Sequence, residues 1–429
     1  MSLGSMRPLL IALLIALPLT ASGQGWTLLE NSPFHSYRFE DAAFVSPERG
    51  WIVNGAGETY ETQDGGESWT LRSQVPGYLR TTAFPSAGLG WVGVLFNQNA
   101  RLYETRDGGE TMVNVTDRIQ PAIGGGVCGL FALDETHVFG VGEWDGPSYF
   151  LKTTDGGASW QSVDMAPYAA SLIDVRFTDP MNGIVVGGTN GTQSGGVAVI
   201  LATSDGGETW TERFRSSGTG TSTEWAWKIS FPSESVGYVS VEHYGGNGDG
   251  KVLKTIDGGL TWTELAVPGG GSMQGVGFLN EREGWTSGRG TQMVTSDGGV
   301  SWVETSAIDG SVNRFEFFGD SLGYAMGRRI YKLERLAVSA APPPPDALTL
   351  SASPNPTASA TTIRFRLGTP GDVVVDVFDT LGRRIARLAE DERPAGEHRL
   401  RWEADAPGTY LVRVQTPEGL VTRRIAVVR

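Results

Sequence analysis

The sequence predicts an all-β protein, a seven-bladed β-propeller followed by a smaller β-sandwich. Three observations carry this prediction. The motif Thr-x-Asp-Gly-Gly-x-Ser/Thr-Trp occurs six times in the 429 residues, with Met112 in place of Trp in the second copy. Seven phenylalanines recur in step with the motif, each seven residues before an aromatic or branched residue. After four consecutive prolines the pattern changes to strict alternation of apolar and polar residues.

Each repeat reads as four antiparallel strands. In the first copy, an apolar run ends at Phe44. A short polar turn then leads to a second apolar run that begins with Gly50-Trp51. A third strand, residues 58–62, precedes the Asp-Gly-Gly turn, and the fourth strand begins at Trp69. This order of apolar runs and turn residues is typical of one propeller blade. The seven anchors of the pattern are Phe44, Phe84, Phe131, Phe177, Phe231, Phe278 and Phe317.

The last repeat lacks a strand that the amino-terminal segment of the propeller is expected to supply. The last repeat, ending at residues 328–333, has no Asp-Gly-Gly turn and no fourth strand. The segment 25–29 matches the segments that follow the other turns, such as Trp69-Thr70-Leu71. We therefore expect the amino-terminal strand to close the last blade, which leaves only short sheet edges exposed.

The repeated aspartates are interpreted as structural. Asp accepts hydrogen bonds from backbone N–H groups two residues on, Gly-Gly supplies positive φ angles, and Trp covers the turn. Identical residues spread around a ring cannot converge on one substrate, so roles as catalytic groups or calcium ligands are disfavoured. The motif resembles the Asp-box, or BNR repeat, of sialidases, sortilin-type receptors and other propellers. The residues concerned are Asp64, Asp107, Asp155, Asp205, Asp257 and Asp297.

Residues 1–23 read as a secretory signal peptide. Arg7 gives the positive start, residues 9–19 the apolar stretch and Ala21-Ser22-Gly23 the small-residue cleavage pattern, so the mature chain is expected to begin near Gln24. The apolar stretch is short for a transmembrane helix, and no other candidate span exists in the sequence. Nothing in this pattern predicts a transmembrane span in the mature chain.

Net charge, cysteine content and the absence of catalytic motifs exclude several kinds of partner and site. The net charge of −14 argues against nucleic acid or an anionic membrane as the main partner. Cys128 is the single cysteine, so no internal disulfide is possible. No metal-ligand cluster, phosphate-binding loop or Ser-His-Asp signature is present, and no cofactor, no metal and no catalytic residue is predicted.

The carboxy-terminal part is predicted to be a separate domain. Residues 24–338 form the predicted propeller, 339–347 a Pro-rich linker and 348–429 an Ig-like sandwich. The last segment resembles the type A sorting domain of the type IX secretion system, which implies contact with that machinery and a secreted or cell-surface location. An Ig-like module that binds carbohydrate or a neighbouring protein is the alternative. The resemblance rests on Ser353-Pro354-Asn355-Pro356, residues 375–379 with Leu381-Gly382-Arg383, Gly408-Thr409-Tyr410 and residues 424–429.

A ligand site is predicted on one face of the propeller. Loops between second and third strands are long in blades three, four and five, and recognition in propellers usually lies on such loops. Aromatic faces beside carboxylates suit sugars or peptides with a basic group. Trp225 and Trp227 could instead pack between blades, and Asn247 to Asp249 with Glu242 could hold calcium, although the spacing fits no defined loop. The predicted residues are Glu143, Trp144, Asp145, Glu224, Trp225, Trp227, Glu242, His243 and Tyr244.

A second set of polar residues is expected at the starts of the inner strands, along the central channel. Mixed charge there is ordinary solvated lining in most propellers, with a ligand site as the alternative. These residues are Glu40, Arg80, Asp174, Lys228, Gln274 and Arg314.

The repeat resembles most closely the propellers of the photosystem II stability and assembly factor family, which implies a binding or scaffolding role. Sialidases usually carry an Arg-Ile-Pro segment before the first repeat. In this chain the similar segment Arg118-Ile119-Gln120-Pro121 contains an additional Gln120 and follows the second repeat motif. We expect a secreted propeller that binds an unknown protein or glycan. The alternative is a secreted glycoside hydrolase, sialidase-like or another Asp-box glycosidase, with paired carboxylates on the loop face.

Overall fold

The computed structural model describes residues 25–97, 99–191, 195–217, 223–244, 249–335, 349–355, 357, 359–379, 383–404, 406–417 and 419–427. The chain divides into two compact units, residues 1–336 and residues 337–429. The predicted signal peptide, residues 1–23, and the predicted linker, residues 339–347, lie outside the described residues. Each unit is considered by itself.

The described residues of the first unit are almost entirely strands and tight turns, with one 3-10 helix at Thr116–Arg118. The first strands are β1 (Trp26–Leu28), β2 (Phe39–Phe44), β3 (Gly50–Asn54), β4 (Glu58–Thr62), β5 (Thr70–Gln74), β6 (Tyr78–Ala83), β7 (Gly90–Leu95), β8 (Leu102–Thr105), β9 (Val113–Asn114), β10 (Ile119–Gln120), β11 (Gly129–Ala132), β12 (Val138–Gly142), β13 (Tyr149–Thr153), β14 (Trp160–Asp164) and β15 (Ser171–Phe177). The others are β16 (Gly183–Gly188), β17 (Ala198–Thr203), β18 (Thr211–Arg215), β19 (Thr223–Ser230), β20 (Gly237–Tyr244), β21 (Gly250–Thr255), β22 (Thr263–Val267), β23 (Met273–Phe278), β24 (Gly284–Gly288), β25 (Gln292–Thr295), β26 (Val303–Glu304), β27 (Arg314–Phe318), β28 (Leu322–Met326) and β29 (Ile330–Glu334).

These strands form seven sheets within the described residues, which we call blades one to seven in chain order. Each begins with an inner strand, and inner strands of successive blades contact one another around a closed ring, β2, β6, β11, β15, β19, β23, β27 and back to β2. Blade three differs from the four-strand expectation: the short β10 adds a fifth strand, parallel to β14. Gln120, which separates Ile119 from Pro121, therefore lies in a short strand at the outer edge of blade three.

The amino-terminal strand completes blade seven, as the sequence predicts. Trp26 pairs with Leu333 and Leu28 with Tyr331, antiparallel to the third strand of that blade. Trp26 is buried and lies edge-on to Trp285 of blade six, with ring centroids 5.4 Å apart. The first described strand and the last strand of the propeller thus share one sheet.

The spacing of Phe and Gly-aromatic pairs has a packing reason. A Cβ atom on Gly50 would lie 2.3 Å from Cδ1 of Phe44, so only glycine lets the phenyl ring lie on the neighbouring strand. The aromatic residue that follows contacts the next blade: Trp51 stacks on Phe84 with ring centroids 4.1 Å apart. Such stacking buries large apolar faces between blades and holds neighbouring sheets together.

Hydrogen bonds within each Asp-Gly-Gly turn hold its backbone, with a longer reach than the sequence predicts. Both glycines of the first turn have positive φ, 69° at Gly65 and 88° at Gly66. The Asp64 carboxylate accepts hydrogen bonds not two but four residues on, from the backbone N–H of Ser68 at 2.9 Å and its hydroxyl at 2.6 Å. The Thr62 hydroxyl also donates to Asp64, at 2.9 Å. Two glycines in the left-handed region curl the chain enough for the carboxylate to span the turn.

The second unit is a sandwich of two antiparallel sheets, ordered β30-β31-β34 and β33-β32-β35-β36. Its strands are β30 (Thr349–Ser353), β31 (Ala360–Leu367), β32 (Gly371–Asp379), β33 (Arg384–Arg393), β34 (Gly396–Glu403), β35 (Gly408–Thr416) and β36 (Gly419–Val427). Alternate residues such as Ile363, Val375 and Val412 are buried in one core between the sheets. Across both units, no described helix has the length and apolar character needed to cross a membrane.

Candidate ligand-binding site

Two faces of the propeller surround the central channel. The loop face carries the loops between second and third strands and the connections between blades; the turn face carries the tight first-to-second turns and the Asp-Gly-Gly turns. On the loop face, the channel opens into a cavity of about 260 Å³, which we call the mouth cavity. It is lined by Arg38, Glu40, Tyr78, Arg80, Leu95, Phe96, Trp144, Trp225, Trp227, Glu242, Tyr244, Gln274 and Arg289.

Backbone bulges bring several of these side chains to the channel. In β2 the pairing with β3 skips Glu40, and in β6 the pairing with β7 skips Arg80. In β19 the skipped residues are Trp227 and Lys228, and in β23 the skipped residue is Gln274. A bulge inserts an extra residue and redirects its side chain, and bulges are frequent beside functional sites.

The carboxylate of Glu40 is completely buried and neutralised by its neighbours. The Arg38 Nε donates to it at 2.6 Å, the Arg80 guanidinium lies 3.4 Å away, and the Tyr78 hydroxyl donates a further hydrogen bond. Burial alone would raise the pKa of Glu40, but the charges of Arg38 and Arg80 outweigh it and hold the pKa below its usual value. Glu40 is therefore ionised and fully engaged within the protein.

Glu242 occupies the opposite side of the same cavity. It accepts a hydrogen bond from the Gln274 amide at 2.7 Å and lies 3.3 Å from a terminal nitrogen of Arg289. Burial raises the pKa of Glu242 above its usual value. Gln274 in turn accepts a hydrogen bond from Arg38, so one polar chain crosses the mouth from Glu40 to Glu242. Because both carboxylates are buried, the accessible charge is that of the arginines.

The accessible surface of the mouth cavity is aromatic. Trp144 is half-buried and lies edge-on to the buried Trp225, with ring centroids 6.0 Å apart. Tyr244 is covered by the Arg289 guanidinium at 5.2 Å from its ring centroid. Phe96 is 65% exposed and has a φ of 56°, a strained conformation for a bulky residue. Backbone strain of this kind is concentrated at functional sites, where it holds a side chain in place.

Below the mouth, a layer of buried charges fills the channel. Arg314 of blade seven lies 2.5 Å from Asp41 of blade one and 3.3 Å from Asp174 of blade four. The Lys228 ammonium lies 3.8 Å from Asp174 and has no hydrogen-bond partner among the described atoms. Burial lowers the pKa of Lys228 to about 8. The contact between Arg314 and Asp174 joins blades seven and four, which are not neighbours in the ring.

The mouth cavity collects five of the nine predicted ligand-binding residues. Trp144, Trp225, Trp227, Glu242 and Tyr244 line it, together with Glu40, Arg80 and Gln274 of the predicted channel set. Six of the nine lie in strands rather than in the loops where the sequence places them: Glu224, Trp225 and Trp227 in β19, and Glu242, His243 and Tyr244 in β20. The tryptophans 225 and 227 are buried, as the packing alternative expects.

The other four predicted residues lie outside the cavity lining. Glu143 accepts a hydrogen bond from the Gly126 backbone N–H at 2.7 Å, and Asp145 is exposed in the blade-three loop. Glu224 forms a buried ion pair with Lys251 at 2.8 Å, with His243 at 3.3 Å. A hydrogen bond and an ion pair thus hold Glu143 and Glu224 inside the fold, and His243 is buried beside Glu224.

The expectation about calcium falls partly on residues that the structure does not describe, since Asn247 and Gly248 lie outside the described residues. Asp249 accepts a hydrogen bond from the Gly269 backbone N–H at 3.0 Å. In the described part of the chain no three His, Cys, Asp or Glu side chains are grouped as a metal site would require.

Sequence reasoning missed Arg38, Tyr78, Leu95, Phe96 and Arg289. A signal existed for two of them: Arg38 and Tyr78 stand two residues before Glu40 and Arg80, and alternate residues of a strand share one face. Arg289 follows β24 directly, in the loop that leads to β25. Phe96 had no sequence signal, because its position depends on a backbone conformation that the residue type does not announce.

Residues 351–428 match the family described as the secretion system C-terminal sorting domain. This match confirms the resemblance of the carboxy-terminal domain and indicates export through the type IX secretion system, to the cell surface or the extracellular space. It also implies interaction of this domain with the secretion machinery.

The first unit is similar in fold to solved propellers. The structure titled YCF48 bound to D1 peptide is 18% identical with a TM-score of 0.55, covering 73% of this chain and 97% of that chain. YCF48 from Cyanidioschyzon merolae is 19% identical with a TM-score of 0.55, covering 72% and 98%. The GH74 xyloglucanase from Xanthomonas campestris is 12% identical with a TM-score of 0.52, covering 90% and 65%. At these identities the likeness establishes the propeller fold alone. No curated protein sequence matches the chain.

Proposed function

We propose that this protein is an exported β-propeller that binds a protein or glycan in the mouth cavity and performs no chemistry on it. The observation that carries the proposal is the convergence of accessible aromatic side chains from separate blades on one cavity, with arginine as the accessible charge. Aromatic faces beside a few polar groups are typical of ligand pockets. The strained, exposed Phe96 at its rim adds a side chain held ready for contact.

The charge of the mouth revises the expected ligand. The sequence predicted a sugar or a peptide with a basic group as the ligand, because carboxylates were expected at the surface. Glu40 and Glu242 are buried and held by arginines, whereas the Arg289 side chain is 60% exposed. A neutral or acidic partner therefore complements the mouth better than a basic one.

The proposal is tested with the purified full chain on a glycan array and in pull-downs of bacterial surface proteins. We expect a retained ligand and at least tenfold weaker binding by Trp144→Ala or Arg289→Ala. Phe34→Ala is the matched control, since Phe34 is an exposed aromatic residue outside the cavity lining. Unchanged binding by both cavity variants would disprove the mouth as the site.

A second candidate function, glycoside hydrolysis, has one specific observation in its favour. Two carboxyl groups line the mouth cavity with pKa values displaced in opposite directions, lowered for Glu40 and raised for Glu242. Opposed displacement of this kind is how a catalytic acid and its partner are distinguished. Turnover of aryl-glycosides or polysaccharides that disappears in Glu242→Gln would replace binding by hydrolysis; we expect no turnover, because both carboxylates are buried and engaged.

A further inference from the structure

The turn face contains a second cavity, at the far end of the channel and separated from the mouth by the layer of buried charges. It has a volume of about 370 Å³, and Arg176, Arg314 and Glu316 are among its lining residues. A groove of about 190 Å³ adjoins it between blades four and five. Arg176 and Phe231 line both spaces, so the groove and the cavity meet at these two side chains.

Arg176 is a half-buried cation that forms no direct ion pair with a described residue, although the charges of Glu316 and Asp174 act on it from a longer distance. Its guanidinium lies between two phenyl rings, 5.8 Å from the centroid of Phe131 and 5.5 Å from that of Phe231. Its buried Nε has no hydrogen-bond partner, and among the described residues no carboxylate lies within ion-pair distance. Burial lowers the pKa of Arg176, so a bound anion would relieve a real cost. The two rings fix the guanidinium in a position where an anion can reach it.

The groove has an apolar wall that includes a solvent-exposed leucine, Leu260. Ile184, Phe231 and Leu260 line it, and Leu260 is 59% exposed. Leu260 stands in the Asp-Gly-Gly turn of blade five at the position directly after the second glycine. Three other copies of the turn carry glutamate there: Glu67, Glu110 and Glu208. A solvent-exposed leucine at a position that elsewhere carries charge extends the apolar surface from the groove outward.

We propose that this cavity and groove form a second binding site, for a small amphiphile whose anionic head, a carboxylate or phosphate, pairs with Arg176 and whose apolar chain lies along the groove. The site is distinct from the mouth cavity and does not depend on the function proposed there. The head meets Arg176, whose buried Nε has no hydrogen-bond partner among the described residues, and the chain covers Ile184, Phe231 and Leu260.

Glu316 sets the pH at which the head is best tested. Burial raises the pKa of Glu316 to about 7, and the charged groups that face it are Arg314, Asp41, Arg176 and Asp174. Below pH 7 the carboxyl is mainly protonated and can donate a hydrogen bond to an anionic head instead of repelling it. Binding is therefore measured at pH 6 and compared with pH 8, where we expect weaker binding.

The first experiment is calorimetric titration of the purified full chain with octanoate, octyl phosphate, octanol and octylammonium. We expect octanoate or octyl phosphate to bind at least tenfold more tightly than octanol, with octylammonium weakest; the stronger of the two anions identifies the head. Butyrate is expected to bind more weakly than octanoate because it leaves the groove empty. Equal binding of octanol and octanoate, or no binding of either anion, would overturn the proposal.

Two variants locate the site. Arg176→Met keeps the aliphatic stem between the rings and is expected to weaken octanoate binding at least tenfold, whereas Arg282→Met removes an exposed arginine of the same face and is expected to change nothing. Leu260→Glu introduces the residue that three other turns carry at this position, so the variant is expected to fold and to lose octanoate binding. Val300→Glu, the equivalent change in blade six, is its control. Octanoate affinity that survives Leu260→Glu, or falls equally in Val300→Glu, contradicts the site.

Discussion

The Asp-Gly-Gly turns and the channel lining belong to the same repeat, but residues are alike among the copies in the turns and differ among them in the channel. The six turns share the threonine, the aspartate and both glycines, and the same hydrogen bond from threonine to aspartate, from Thr62 to Asp64 in the first and from Thr295 to Asp297 in the last. The channel position of the inner strand differs in each blade: Glu40 in the first, Arg80 in the second, Gln274 in the sixth. Identity at the turns secures each sheet separately, whereas diversity in the channel lets different blades bind one another.

Local turns and long-range channel contacts contribute differently to the stability of the propeller. Each turn is local, exposed and satisfied by residues within seven positions of one another. The channel contacts are long-range and buried: Arg314 reaches blades one and four, and Asn313 of blade seven accepts a hydrogen bond from the Trp227 indole at 3.0 Å. Loss of a local turn should therefore cost less than loss of a channel contact.

The largest expected effect comes from Arg314→Met. The change leaves Asp41 and Asp174 buried with fewer partners, and breaking a buried pair in this way costs about 3–5 kcal/mol. Urea denaturation of the first unit measures it. Arg335→Met, which breaks an ion pair with Glu283 nearer the surface, is the control and should cost less than about 1 kcal/mol. Equal losses for the two variants would remove the distinction between channel and surface.

A smaller effect is expected from Asp64→Ala. The change removes hydrogen bonds to a carboxylate from Ser68 and Thr62, which together contribute about 2 kcal/mol to the free energy of unfolding. Glu67→Ala in the same turn is the control, because its side chain is 67% exposed. The cost of Asp64→Ala combined with Asp257→Ala should be additive, since the turns are separate in space; strong non-additivity would show that the turns are coupled.

Acid should weaken the Asp-Gly-Gly turns. Hydrogen bonds from Ser159 lower the pKa of Asp155 to about 2, and those from Thr261 do the same for Asp257. An aspartate in the unfolded chain titrates near 3.9. Because the folded pKa is the lower one, the turns contribute fully above pH 4 and lose this contribution as the pH falls toward 2. Thermal unfolding followed from pH 5 to pH 2 checks this; constant stability over that range would contradict it.

The smallest effect on stability is expected at the rim of the mouth. Arg289→Ala removes a largely exposed side chain and should change the free energy of unfolding by no more than about 0.5 kcal/mol. Its effect on ligand binding is expected to be tenfold or more, as described above. The separation of these two readouts distinguishes a ligand-contacting residue from a structural one.

The sequence predicted the architecture well because the repeat encodes it locally. The Phe anchors, the glycines beneath them and the Asp-Gly-Gly turns specify strands and turns from neighbouring residues alone. The mouth was predicted less well, because its composition depends on bulges that shift Glu40 and Arg80 onto the channel and on the blades that meet across it. One sign was readable: consecutive polar residues such as Glu40-Asp41 and Arg80-Thr81 interrupt otherwise apolar strands. The burial of Glu224 and Glu242 had no such sign.

The three-residue strand β1 gives the predicted position of leader cleavage a structural meaning. The predicted mature terminus near Gln24 stands only two residues before Trp26, the first residue paired with β29. Proteolysis a few positions further along would remove β1, expose β29 as the outer edge of blade seven and leave the ring of blades without this closing strand. Because β1 pairs with β29, the ring can close only once residues up to Glu334 are available to pair.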